Sequence, residues 1–267
     1  MRKRILTLAL AAISLAVLGQ TGEVGFFGGV SYYIGDLNPA KHFLSSKPAY
    51  GVVARVNLNP RWSFKLNGYR GRVAGDDYVS NANISRGLQF ESEILDISAV
   101  AEFNFFEYFT GSKRDVFTPY IFGGIGYFHF NPESTGVRLR DIGTEGQQAG
   151  FEGRKPYSLH SVSIPFGIGF KYSISRRFGL TAFWGMRKTF TDYLDDVSRT
   201  YYLDGAQIDP DNTAQLLSDP TLQHQPYMER GNPTTNDWYN FSGVTLTYKF
   251  NLFGKRKCDD QPRSGVN

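Results

Sequence analysis

The 267-residue chain holds one cysteine, Cys258, so no internal disulfide framework staples it. With four histidines and no Cys or His spacing suited to zinc, it offers no structural zinc site. Its densest glycine run, Phe122-Gly123-Gly124-Ile125-Gly126, lies in a strand with no helix to follow, which excludes a nucleotide loop. No basic stripe for nucleic acid is present. Long hydrophobic runs are also missing: the longest, Ile5 to Leu18, is too short to be a membrane helix. It follows Met1-Arg2-Lys3-Arg4 and ends at Gly19-Gln20, the form of a secretory signal peptide over residues 1–19. Cleavage there leaves Gln20 first, not a lipid-accepting cysteine. Three of the 29 basic residues leave with the leader, so 26 face 25 acidic ones and the basic pI says nothing about nucleic acid.

What is abundant is aromatic: 22 Phe and 16 Tyr in a chain of negative mean hydropathy. Strict alternation reconciles the two, because each greasy residue is diluted by a small or polar neighbour. The clearest case is Ser161 to Ile174, with Val162, Ile164, Phe166, Ile168, Phe170, Tyr172 and Ile174 on one face and Ser163, Gly167, Gly169, Lys171 and Ser173 on the other. After Ser175-Arg176-Arg177 a second run puts Leu180, Ala182, Trp184 and Met186 opposite Thr181, Phe183, Gly185, Arg187 and Thr189, making a hairpin. The same pattern predicts strands at 23–34, 50–58, 61–73, 88–106, 117–130 and 238–250, the fifth of them with unassigned faces and ended by Asn131-Pro132.

Eight strands result, and the connections after the second, fourth and sixth are short whereas those after the others are long. An all-β, membrane-spanning up-and-down antiparallel barrel with short periplasmic turns and long external loops has that pattern. The expected layout is leader 1–19, barrel 20–250 and periplasmic tail 251–267, in the outer membrane with lipid around the wall and both termini periplasmic. A large soluble β domain is the alternative, but it has no reason to sort its loops by length.

A barrel of eight strands is just wide enough for side chains to fill. Its inward set contains Arg55, Lys65, Asp96, Glu102, Lys171, Arg187 and Lys249, of both signs, so the expectation is a plugged lumen of paired charges rather than a pore. His129, His160, Ser161, Asp192 and Ser198 contain the residue types of an acyl-transfer site, without a nucleophile motif around either serine. Asp192 to Asp196 invites a calcium reading but lacks the spacing and glycine of a calcium loop. In the tail, Lys255-Arg256-Lys257 reads as a solvated stop or as a contact for an acidic periplasmic partner. Neither a catalytic residue, a metal nor a cofactor is assigned.

Four stretches carry a resemblance. Ser31-Tyr32-Tyr33-Ile34-Gly35-Asp36-Leu37-Asn38-Pro39, Glu102 to Phe105, Thr118 to Pro132, and Arg187-Lys188-Thr189-Phe190-Thr191-Asp192-Tyr193-Leu194-Asp195-Asp196-Val197-Ser198 resemble the PorG family, outer-membrane barrels of the type IX secretion system in Bacteroidetes. The resemblance implies a non-enzymatic secretion component, associated with the periplasmic ring of the PorK lipoprotein and PorN, alongside other type IX components. It assigns no role to the motif residues Asp36, Asn38, Pro39, Arg187, Thr191, Asp192, Tyr193, Asp195 and Asp196, which either brace the external loops or touch another envelope protein. A small barrel using its loops for adhesion or ligand binding is the second expectation, and a lipid-modifying enzyme the third.

Overall fold

A computed structural model describes residues 21–251. The expected leader 1–19 and the expected periplasmic tail with Lys255, Arg256, Lys257 and Cys258 fall outside the described residues. The strands are β1 (Thr21–Ile34), β2 (Lys47–Asn57), β3 (Trp62–Asp76), β4 (Gln89–Asn104), β5 (Phe117–Ser134), the two-residue β6 (Val137–Arg138), β7 (His160–Ser173), β8 (Phe178–Thr189) and β9 (Trp238–Asn251). All neighbours pair antiparallel; β1 meets β9 and β4 meets β5, so eight strands close into a ring to which β6 is appended. Closure leaves no sheet edge in the wall.

The alternation read from the sequence is the wall. Phe26, Leu66, Ile97 and Ile125 are 76%, 60%, 64% and 73% exposed, among many large apolar residues on the outside. Leaving such a side chain in water forgoes about 1.5–3 kcal/mol, and a continuous apolar girdle is far larger than monomeric soluble proteins expose. The wall is therefore built to be solvated by lipid. Around the short-turn end it carries Trp62, Phe105, Phe106, Phe117, Phe178, Tyr248 and Phe250, the ring of aromatics expected where hydrocarbon gives way to headgroups.

Several boundaries differ from the sequence reading. β5 passes through Asn131-Pro132 to Ser134. Its pairing with β7 ends at His129 and that with β6 begins at Glu133, so Pro132 sits where the missing N–H interrupts neither ladder. β3 continues to Asp76 because β4 pairs with it as far as Gln89. The faces of β5 are now assigned: Tyr120, Phe122, Phe128 and Phe130 point inward, Ile121, Ile125 and Tyr127 outward. The connection 105–116 after β4 is not a simple turn, since it folds inward. At the other end the loops 35–46, 77–88 (with helix α1, Asp77–Ser80), 135–159 (with α2, Leu139–Ile142) and 190–237 (with α3, Thr213–Ser218) pack together into a cap.

Candidate functional site

Inside the barrel, register does the positioning. Glu23, Arg55 and Lys65 are successive cross-strand partners, and Ser63, two residues from Lys65, is the partner of Glu102. Two cations side by side on one row repel unless acids flank them. Glu102 takes Arg55 Nε at 2.8 Å, Lys65 at 2.9 Å and, from across the lumen, Lys171 at 2.7 Å, while Ser63 Oγ donates to it at 3.2 Å. Glu23 takes the other face of Arg55 at 2.8 Å and accepts from Asn57 and Thr110 at 2.9 and 2.8 Å. None of these charged side chains is more than 2% exposed. Above this layer Arg187 lies 3.8 Å from Asp96, with its guanidinium over the rings of Phe241 and Tyr69 at 4.8 and 5.6 Å, and Tyr239 donates to Asp96 at 2.8 Å.

Six of the seven charges expected in the lumen are thus there and interacting. Lys249 is the exception: at the short-turn end its ammonium donates to the carbonyl of Thr110, outside the ion-pair cluster. It still faces inward, as the cross-strand partner of Glu23. Glu23 was missed, although it opens the first strand in the inward phase.

Both mouths are shut. At the short-turn end the loop 105–116 tucks Tyr108 and Thr110 into the opening, with Thr110 bonded to Glu23 and the Gly111 N–H to Ser173 Oγ at 2.7 Å. Gly111 has φ +92°, and a Cβ there would lie 2.5 Å from the Arg176 carbonyl oxygen, so glycine is required.

At the long-loop end the motif residues brace the cap. Asn38 donates to the carbonyls of Tyr33 and Lys41 at 2.9 and 2.8 Å, and Asp36 accepts from the Asn232 N–H at 3.0 Å. Tyr33 OH contacts both Asp195 and Asp237, the latter at 3.1 Å. Asp237 in turn accepts from the Leu194 N–H, and Asp195 from the Val197 N–H, each at 2.9 Å. Asp196 accepts from Thr144 and, at 2.6 Å, from Tyr157, whose ring stacks on Tyr193 at 4.5 Å between centroids; Thr191 Oγ1 accepts from the Tyr193 N–H. Pro39 is exposed and Asp192 half-buried.

Two arginines thread the cap. Arg86 grips Asp77 at 2.6 Å and the carbonyls of Arg230 and Asp36; Arg230 reaches Glu145 at 3.3 Å and the Asp196 carbonyl at 2.6 Å. Arg86, Arg230, Glu145 and Asp237 were not singled out from sequence. They lie in loops without periodicity, and only the folded chain brings them together. Burial pushes the Asp192 carboxyl up to about 7 and Asp196 to about 6, the latter against the pull of Arg230. Asp195 and Asp237 are raised well above the carboxylate range by burial and neighbouring acids.

The acyl-transfer residues are not assembled. His129 and His160 lie side by side on the outer face with their rings tilted, 4.7 Å between centroids, whereas Ser198 is buried within the cap. The carboxylates of Asp195 and Asp196 are turned to protein donors, and among the described residues no group of three or more His, Cys, Asp or Glu is arranged to hold a metal ion.

A family model described as "Domain of unknown function (DUF6089)" matches residues 2–203. Among solved structures the chain is similar to neisserial surface protein A (11% identity, TM-score 0.46, over 87% of this chain and 99% of that one). It is also similar to Ail, the attachment invasion locus protein of Yersinia pestis, in complex with the heparin analogue sucrose octasulfate (10%, 0.42, 87% and 100%). The outer membrane protein OprG of Pseudomonas aeruginosa is a third (13%, 0.39, 87% and 96%). No curated protein matches the chain.

Proposed function

The chain belongs to the DUF6089 family, and from that premise we propose that it is a non-enzymatic outer-membrane barrel that anchors or organises the periplasmic lipoprotein ring of a type IX secretion system and is needed for protein export. The observation that carries a non-conducting, structural reading is the lumen: Glu102 is held by three cations in a buried interior, with the loop 105–116 below and the cap above. A barrel so filled works through its surfaces. The secretion assignment itself rests on the sequence stretches resembling the PorG family. In this reading the short turns and both termini face the periplasm, where ring proteins resembling PorK and PorN lie.

The test is gentle detergent extraction of outer membranes carrying a tagged copy, then affinity capture and mass spectrometry. Co-purification of ring lipoprotein and its partner far above other abundant membrane proteins is expected; a barrel that arrives alone even after crosslinking overturns the reading.

A second reading, adhesion or ligand binding by the external loops, is favoured by one cluster. On the cap Phe151 packs on Tyr227 and Tyr202, Arg154 lies 4.9 Å from the Phe151 ring, and Tyr227 and Met228 remain 64% and 47% exposed. Tyrosine, arginine and methionine are residues that surfaces use for recognition. Replacing Tyr227 and Met228 with serine separates the readings: lost cell-surface binding with intact secretion supports the second, unchanged surface binding removes it.

A further inference from the structure

We propose that Asp195, Asp237 and the hydroxyl of Tyr33 form a proton-held latch that keeps the loop 190–237 closed over the barrel, and that loss of one proton releases it.

The argument begins with hydrogens. Tyr33 OH contacts a carboxylate oxygen of Asp195 and one of Asp237. A phenol carries one hydrogen, so two such contacts need a second, which only a protonated carboxyl supplies. All three side chains are buried, at 0–1% exposure, so water does not replace it. The remaining oxygens are occupied, Asp237 by the Leu194 N–H and Asp195 by the Val197 N–H.

The surroundings oppose ionisation. From the loop after β1, Asp36 faces the pair; from the segment after β8, Asp192 does; Glu145 of the 135–159 loop adds charge to Asp36 and Asp192. Two cations are nearby, and both are committed. Arg86 is bidentate on Asp77, and Arg230 serves Glu145, the Asp196 carbonyl and the Ser218 carbonyl. Neither makes a salt bridge to Asp195 or Asp237 among the described residues. The raised pKa values of both carboxyls agree with this geometry.

The latch also stands at a mechanical joint. Asp237 is the last residue before β9 and Tyr33 the penultimate residue of β1, both fixed to the wall, whereas Asp195 belongs to the loop. The contact staples the loop to the barrel. Releasing it frees Leu194 and Val197 from the apolar floor made with Leu37, Phe90, Phe128 and Phe130. The device is independent of what the barrel binds.

The sign follows from linkage. In the opened loop these carboxyls return to the ordinary value of about 4, while in the closed cap the pair retains a proton. Closure therefore takes up a proton, and the opening equilibrium grows about tenfold per pH unit, on the order of a thousandfold over three units.

The experiment uses the full barrel in detergent micelles with a chelator present. Protease cleavage within 190–237 is followed from pH 5.5 to 8.5, mapped by mass spectrometry and normalised at each pH to an unfolded substrate; under such conditions cleavage tracks the open population. The expected result is a steep rise with pH in the wild type, and a slope lower by one in Asp237→Asn, whose amide supplies the hydrogen permanently. Asp192 and Asp196 contribute to the total slope, so the difference between the two proteins is the readout. Equal slopes, a wild-type rate flat with pH, or cleavage at pH 5.5 that calcium suppresses in place of the chelator, would each overturn the proposal, the last because a metal and not a proton then closes the latch.

Discussion

The lumen and the cap both bury carboxylates, and they solve the problem in opposite ways. In the lumen Glu102 and Glu23 are answered by Arg55, Lys65 and Lys171, each drawn from a different position on the cross-strand rows. In the cap Asp36, Asp195, Asp196 and Asp237 are answered mostly by backbone N–H groups and phenol or threonine hydroxyls, with two arginines shared among many acceptors. A strand places a side chain every second residue and so can array whole cations opposite whole anions. A loop has free N–H groups at each turn and spends them on its own carboxylates. The lumen's carboxylates are therefore held by cations, whereas the proposed latch in the cap is held by a proton.

The comparison breaks most sharply at Glu102. Replacing it with alanine strands Lys65 and Lys171 in a buried interior and leaves Arg55 with Glu23 alone, a loss of about 3–5 kcal/mol, and the unfolding temperature of the barrel in detergent should fall accordingly; an unchanged transition removes the pairing account. Next is Arg230→Ala, which leaves Glu145 and Asp196 buried without their cation. A cost of about 3 kcal/mol or more is expected, confined to the cap: protease cleavage within 190–237 accelerates while the barrel transition stays put. A matching drop in both would show cap and barrel to be one cooperative unit.

Gly111→Ala tests the closure at the short-turn end. Strain at a positive φ and the close Arg176 carbonyl cost roughly 1–3 kcal/mol, read as a lower barrel unfolding temperature with cap cleavage unaltered. Smallest is Arg72→Ala. Arg72 pairs with Glu91 at 3.0 Å on the outer face with both side chains well exposed, and at most about 0.5 kcal/mol is expected. A loss comparable to that of Glu102 would mean that the outer charges, too, hold the wall.

Legibility of the sequence followed periodicity. The period of two, clearest from Val162 to Ile174 and from Leu95 to Phe105 and repeated along the chain, placed the lumen charges and all eight strands. It failed at strand ends such as Pro132, where the register of a neighbour decides whether a residue is still paired. Glu23 had the right phase and was overlooked at the start of its strand. The motif around Asp192 to Asp196 was visible as a motif, yet its contacts with Tyr33, Thr144 and Tyr157 were not, because those residues are far apart in the chain.

What the sequence by itself determined is the wall: alternation dictates which face meets lipid and which fills the lumen, and loop lengths dictate which end carries the cap. What only the tertiary structure decided is who answers each buried charge. Closing the ring brings Lys171 across to Glu102, and folding four loops together brings Asp237 to Tyr33 and Asp195. Those pairings depend on distances through space that no local repeat encodes.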